Sequence, residues 1–248
     1  MRISKAALFT FLLIILLYVN NKIILAYNFN PTIQVLLVTL ILMLVLLAGH
    51  RFNFGKFKES IIPNLEVTQA FYIGIIGVIG IFVLSISIPN LIRVLVLGEN
   101  LKIVDSPIFM HNLILSLLIL PLLEELFFRN LLTKKLNERY NAKKAIFVSA
   151  FLFAISHIHI NNGIFPQFLG GLFFGYIYLY NKNNWFLTFK LHLIYNLFTI
   201  TITTNVVIMS FIVSLSYIHC IFLILIGFAL ITLSVSFTGK GNRENFQN

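Results

Sequence analysis

The sequence predicts an all-α fold: a polytopic membrane bundle of about eight transmembrane helices with both termini cytoplasmic. Three observations predict it. Hydrophobic residues make up 59% of the chain and charged residues only 10%, with a mean hydropathy of +0.95. Apolar runs of bilayer length recur from end to end, leaving no stretch for a soluble module, so 1–248 reads as a single integral membrane domain. The basic residues cluster beside those runs rather than along one face, which is the pattern of membrane topology and not of nucleic-acid binding, despite a net charge of +10.

The spans fall at about 6–26, 33–50, 69–88, 109–136, 143–160, 165–180, 185–205 and 209–236. The first follows Arg2 and Lys5 and begins like a signal peptide. No small-residue cleavage site precedes Asn20, Asn21 and Lys22, so it is kept as a span. The second ends before the basic stretch of Arg51, Lys56 and Lys58. The third carries Gly74, Gly77 and Gly80, and the sixth Gly171 and Gly175; small faces of this kind let helices pack closely. The fourth and fifth are expected to form an antiparallel hairpin turning at Asn137–Asn141. The apolar stretch after Thr204 fits either one long span or a broken one. With the N-terminus inside, fourteen of the eighteen basic residues fall on the inner side. Lys22, Arg93 and Lys102 fall outside, and Lys190 lies just within the seventh span. That bias supports an even number of spans and a multi-pass protein of the cell membrane.

The single Cys220 excludes an internal disulfide and a cysteine-rich metal site. Of the eight acidic residues, Glu59, Glu66, Glu99, Asp105, Glu138 and Glu244 lie in polar connections. Glu124 and Glu125 alone fall inside an apolar run long enough to cross a bilayer. A carboxylate at that depth costs several kcal/mol unless it is paired, protonated or used. Arg129 completes a Glu-Glu-x-x-x-Arg pattern. The fifth span carries Phe153-Ala-Ile-Ser-His157 and the seventh His192-Leu-Ile-Tyr-Asn196.

Helix geometry relates these groups. Counted from Tyr140, Glu124 lies about as far back as His157 lies forward, so at about 1.5 Å rise per residue both sit roughly 24–26 Å from the turn. His192 and Asn196, four residues apart, share one helix face. Adjacent glutamates point about 100° apart, so they are expected to differ in role. Glu125 is spaced to pair with Arg129, which leaves Glu124 to face a cavity; the sequence also allows the reverse division. Poor hydration raises the proton affinity of a carboxylate, which suits a general base. Glu124 with His157 would deprotonate a water, while His192 and Asn196 would donate hydrogen bonds to a tetrahedral oxyanion. Each group alone has an ordinary structural reading, as an interhelical hydrogen bond or ion pair. Three groups on three spans favour one functional site. His159 is expected to face a loop, and His50, His111 and His219 to sit at span ends.

At these residues the chain resembles the CAAX-protease and bacteriocin-processing family of intramembrane proteases, also called CPBP or Abi. Its members show Glu-Glu-x-x-x-Arg, Phe-x-x-x-His and His-x-x-x-Asn on separate spans in that order, here as Glu124 to Arg129, Phe153 to His157 and His192 to Asn196. The resemblance covers about 124–196 and implies an eight-helix membrane endopeptidase with its catalytic core over 109–205. It implies Glu124 and His157 as the water-activating pair and His192 and Asn196 as oxyanion donors, supported by Glu125 and Arg129. A metal is not expected to be obligatory. If zinc is used, its ligands would be Glu124, His157 and His192, although no His-Glu-x-x-His is present. Asp105 is the sole aspartate, so an aspartyl dyad within the chain is excluded, and no Gly-x-Ser-x-Gly elbow occurs. The expected partners are a peptide or membrane-protein substrate and the bilayer, with no nucleic acid and no oligomeric state indicated. Two other functions fit the same sequence: a non-proteolytic immunity or regulatory protein of the membrane, and a proton-coupled transporter using the paired glutamates.

Overall fold

The computed structural model describes residues 69–97, 115–157 and 164–243, together with shorter pieces within 3–15 and 37–48. Every regular element among the described residues is helical. Helix α1 is Gln69–Ile92, extended by a π-helical turn over Arg93–Leu97. A continuous rod over 115–137, α2, follows: π-helical at Leu115–Ile119, α-helical at Leu120–Glu124, π-helical at Glu125–Thr133 and α-helical at Lys134–Asn137. Then come α3 (Ala142–Ser156), α4 (Ile164–Tyr180), α5 (Trp185–Thr204), α6 (Val206–Val213) and α7 (Tyr217–Arg243). Among the described residues, three helices are long and apolar enough to cross a bilayer, over Gln69–Val96, Trp185–Ile202 and Tyr217–Thr238, and Ile164–Tyr180 is a shorter apolar helix. Most of the first two expected spans lies outside the described residues, as do His50, His111 and His159.

The chain divides into two compact units, one of Met1–Leu65 with Pro107–Phe189, the other of Glu66–Ser106 with Lys190–Asn248. In the first, α2 is the central element. Every residue from Glu125 to Thr133 is buried, polar ones included, because apolar neighbours surround the rod. Leu123, Phe127, Phe128, Leu131 and Leu132 pack with Ile146, Phe153, Tyr178 and Trp185, and with Ala6 and Leu46 from the early helical pieces. The hairpin turn falls where the sequence places it, between Asn137 and Ala142. Asn141 caps α3, its side-chain oxygen accepting from the Lys144 amide at 2.9 Å. Helices α3 and α4 approach closely at Gly171, where an added Cβ would lie 2.8 Å from Ala150 Cα, and one turn on, at Gly175 against Ile146. This is the small-face packing expected of those glycines.

In the second unit, α1 and α7 run antiparallel. Ser234 Oγ donates to the Ile73 carbonyl at 2.8 Å, Gly80 meets Gly227 backbone to backbone, and Asn90 Nδ2 lies 3.6 Å from Cys220 Sγ. The same Asn90 amide donates to the Ile212 carbonyl at 3.1 Å near the end of α6. Of the two readings for the last apolar stretch, the broken one is found. Asn205 caps α6 through the Ile208 amide, and 214–216 separates α6 from α7. Phe222, Leu225 and Phe237 on α7 are exposed and apolar, as a face toward lipid requires.

Candidate active site

The site in the first unit is built from the facing sides of α2 and α3. Among the contacts that join them, three fall at steps of about one turn outward from the hairpin. Thr133 meets Ser149, with 2.8 Å between hydroxyl oxygens. The ring of Phe128 meets the edge of Phe153, centroids 5.0 Å apart. Glu124 meets His157, with Oε1 3.4 Å from Nε2. The depth match expected from counting along the two helices is therefore present as a contact.

The two glutamates differ in surroundings. Glu125 Oε2 lies 3.1 Å from Arg129 Nε, both side chains wholly out of solvent. The Arg129 guanidinium is enclosed by aromatic faces, its Cζ 5.1 Å from the centre of the Phe153 ring and 5.8 Å from that of Phe174 on α4. Its Nη1 and Nη2 have no hydrogen-bond partner among the described residues, so the ring faces and the carboxylate offset the burial of this cation. Glu124 retains 21% of its side-chain exposure and His157 retains 12%. Glu124 therefore keeps an accessible side, whereas Glu125 is enclosed by protein and paired with Arg129.

His157 is held in one orientation. It caps the C-terminus of α3, where the last carbonyls lack helical partners. Its Nδ1 lies 2.8 Å from the Phe153 carbonyl, which can only accept, so Nδ1 carries a hydrogen and donates. Ser156 Oγ donates to the same carbonyl at 2.7 Å and lies 3.1 Å from Nδ1. This leaves Nε2 directed at Glu124. Two lone pairs would repel at that distance, so the contact holds when one proton resides on the pair. The ring of Phe153 also packs on His157, centroids 4.4 Å apart. Phe153 thus serves both side chains, through its carbonyl for His157 and its ring for Arg129, which gives a physical reason for a phenylalanine four residues before the histidine.

His192 and Asn196 lie on α5 within the second unit, His192 buried and Asn196 half-buried, four residues apart on one helix face. Nearby, Leu191 packs against Gly74, and Tyr195 and Phe198 against Phe82. Among the described residues, no three His, Cys, Asp or Glu side chains gather closely enough to hold a metal ion. Sequence reasoning did not single out Thr133, Ser149 or Ser156. Small hydroxyls inside apolar helices are common, and nothing in their spacing marks them.

Comparison with known proteins bears on the segment that carries these groups. No curated protein and no solved structure matches the chain. Residues 106–198, less than half of the chain but including all three motifs, match the family model described as Rce1-like, Type II CAAX prenyl endopeptidase Rce1-like, which is the family the motifs resemble.

Proposed function

We propose that the chain is an intramembrane endopeptidase that hydrolyses a peptide bond with water activated by Glu124 and His157. The observation that carries this reading is the Glu124–His157 contact, partly accessible and set one residue from a sealed Glu125–Arg129 pair. Family resemblance over 106–198 supports a peptidase. In the proposed reaction Glu124 takes a proton from water, whose oxygen bonds to the scissile carbonyl carbon. His157, oriented by the Phe153 carbonyl, shares the proton with Glu124. His192 and Asn196 are the proposed donors to the resulting oxyanion, on the strength of their residue types and their motif. The C–N bond then breaks as the proton passes to the leaving amine, with no covalent enzyme intermediate.

The proposed substrate is a peptide or a membrane-protein tail. The family description supplies a first probe: a farnesylated peptide ending in a Cys-aliphatic-aliphatic-X sequence, offered to the purified chain in lipid vesicles. Cleavage by the wild type, lost in Glu124→Ala, His157→Ala and His192→Ala at normal expression, is the expected result. Comparison of membrane and secreted peptides from cells carrying wild type or Glu124→Ala extends the test to substrates without a prenyl group. Full activity in all three variants would overturn the reading. No obligatory metal is proposed, so a chelator is expected to leave cleavage within about twofold, and lasting loss restored by zinc would reverse that assignment.

A further inference from the structure

Nearer the turn than the glutamate and histidine, the same hairpin holds a second buried polar contact outside the three motifs. Thr133 and Ser149 are wholly shielded from solvent. Thr133 Oγ1 lies 2.7 Å from the Phe128 carbonyl oxygen and 2.8 Å from Ser149 Oγ, which is itself 3.2 Å from that carbonyl. Each hydroxyl has one hydrogen to give. In every arrangement of the two hydrogens, the Phe128 carbonyl accepts at least one, and α2 is tied to α3.

That carbonyl belongs to the widened stretch of α2. Over Glu125–Thr133 the backbone is π-helical, and the Lys134 amide reaches back five residues to Arg129. Thr133 is likewise five residues beyond Phe128, so its hydroxyl reinforces the wide spacing rather than the α-helical one. The stretch begins immediately after Glu124. Returning it to α-helical spacing would rotate Glu124 about the helix axis relative to Thr133, and with it the direction of its carboxylate. Of the three contacts on this face it is the one nearest the turn, with Phe128–Phe153 between it and Glu124–His157, so it sets the axial register in which those two meet.

We propose that Thr133 and Ser149 are positioning residues: a buried hydroxyl clamp that maintains the widened turn and the hairpin register, and thereby aims Glu124 at His157. The proposal rests on the reading of Glu124 and His157 as the water-activating pair. A purely structural role would lower the amount of folded enzyme and leave turnover per folded molecule unchanged. A positioning role lowers kcat and spares KM, because the clamp lies about 13 Å along the helix from the reacting groups.

The experiment compares Thr133→Val, Ser149→Ala and Thr133→Ser with the wild type, as full chains in lipid vesicles, on the farnesylated peptide. The expected result is a kcat lowered about tenfold or more in Thr133→Val and in Ser149→Ala with KM within about twofold, since small misplacements of catalytic groups are costly. Thr133→Ser, which keeps the hydroxyl, is expected to retain at least about half of the wild-type kcat. Unchanged kcat in both hydroxyl-free variants, or equal loss in Thr133→Ser, overturns the clamp. If Thr133→Val does not fold, Ser149→Ala decides. If the wild-type chain cleaves neither this probe nor any cellular peptide, the peptidase reading fails by itself. The clamp is then judged by amide hydrogen exchange over 125–133, expected to quicken about fivefold in Ser149→Ala. Unchanged exchange would overturn it.

Discussion

The pair α2 and α3 and the pair α1 and α7 are both antiparallel and both closely packed, yet they are held by opposite means. Between α2 and α3 the aliphatic packing is joined by polar and aromatic contacts that are specific: hydroxyl to hydroxyl, ring to ring, carboxylate to imidazole. Between α1 and α7 the closest approach is the absence of side chains, with Gly80 and Gly227 set backbone to backbone. Glycine contacts allow proximity without fixing which turn meets which, whereas a hydrogen bond between two buried hydroxyls is lost when either helix slips by one turn. Hydrogen bonds of the second pair, Ser234 to Ile73 and Asn90 near Cys220, stand toward its two ends. The lesson is that a pair carrying chemistry needs defined register along its length, and a pair facing lipid needs mainly close contact.

Substitutions can break this contrast, and the largest effect belongs to activity. Glu124→Ala is expected to lower kcat about a thousandfold, within the range for loss of a general base, while thermal unfolding in detergent stays near wild type. Next comes the sealed ion pair. Arg129→Ala leaves the Glu125 carboxylate buried without its cation and is expected to destabilise the first unit by about 3–5 kcal/mol. Arg129→Met with Glu125→Gln removes both charges and is expected to recover much of that loss, a difference that chemical or thermal unfolding reads directly.

The glycine contact comes third. Gly80→Ala would set a Cβ 2.7 Å from the Gly227 carbonyl, so the helices must separate. A cost of about 1–3 kcal/mol in unfolding is expected, with kcat per folded molecule unaltered. A fall in kcat equal to that of Ser149→Ala would erase the distinction between the two pairs. The smallest effect belongs to a cap that is part of neither pair: Asn205→Ala removes the bond to the Ile208 amide and is expected to cost about 1 kcal/mol in the same unfolding measurement.

Much of the first hairpin was legible in the sequence for a simple reason. A helix advances by a fixed rise, so a turn placed at Asn137–Asn141 already brings Glu124 level with His157, and charge spacing pairs Glu125 with Arg129. Small residues at Gly171 and Gly175 likewise announce a close approach before any partner is known. The π-helical stretch over Glu125–Thr133 was not legible, because its polar residues Glu125, Arg129 and Thr133 recur every four residues, as on one face of an ordinary α-helix, and nothing betrays the change of pitch. Nor were Thr133 and Ser149, whose meaning depends on facing each other across two helices. The break at 214–216 left only a faint sign, since Asn205 and Ser214 cap and end helices yet also occur within membrane spans.

The enclosure of Arg129 has a consequence for biosynthesis. Its guanidinium rests on Phe153 from α3 and on Phe174 from α4, and α4 is the last of these to leave the ribosome. Until it arrives, the nascent hairpin holds a cation with one of its aromatic faces missing, a fault that membrane quality control can recognise. A chain arrested before Phe174 is therefore expected to be degraded faster than one arrested after Asn184. Pulse-chase labelling of the two arrested forms reads that difference, and Arg129→Met with Glu125→Gln should abolish it.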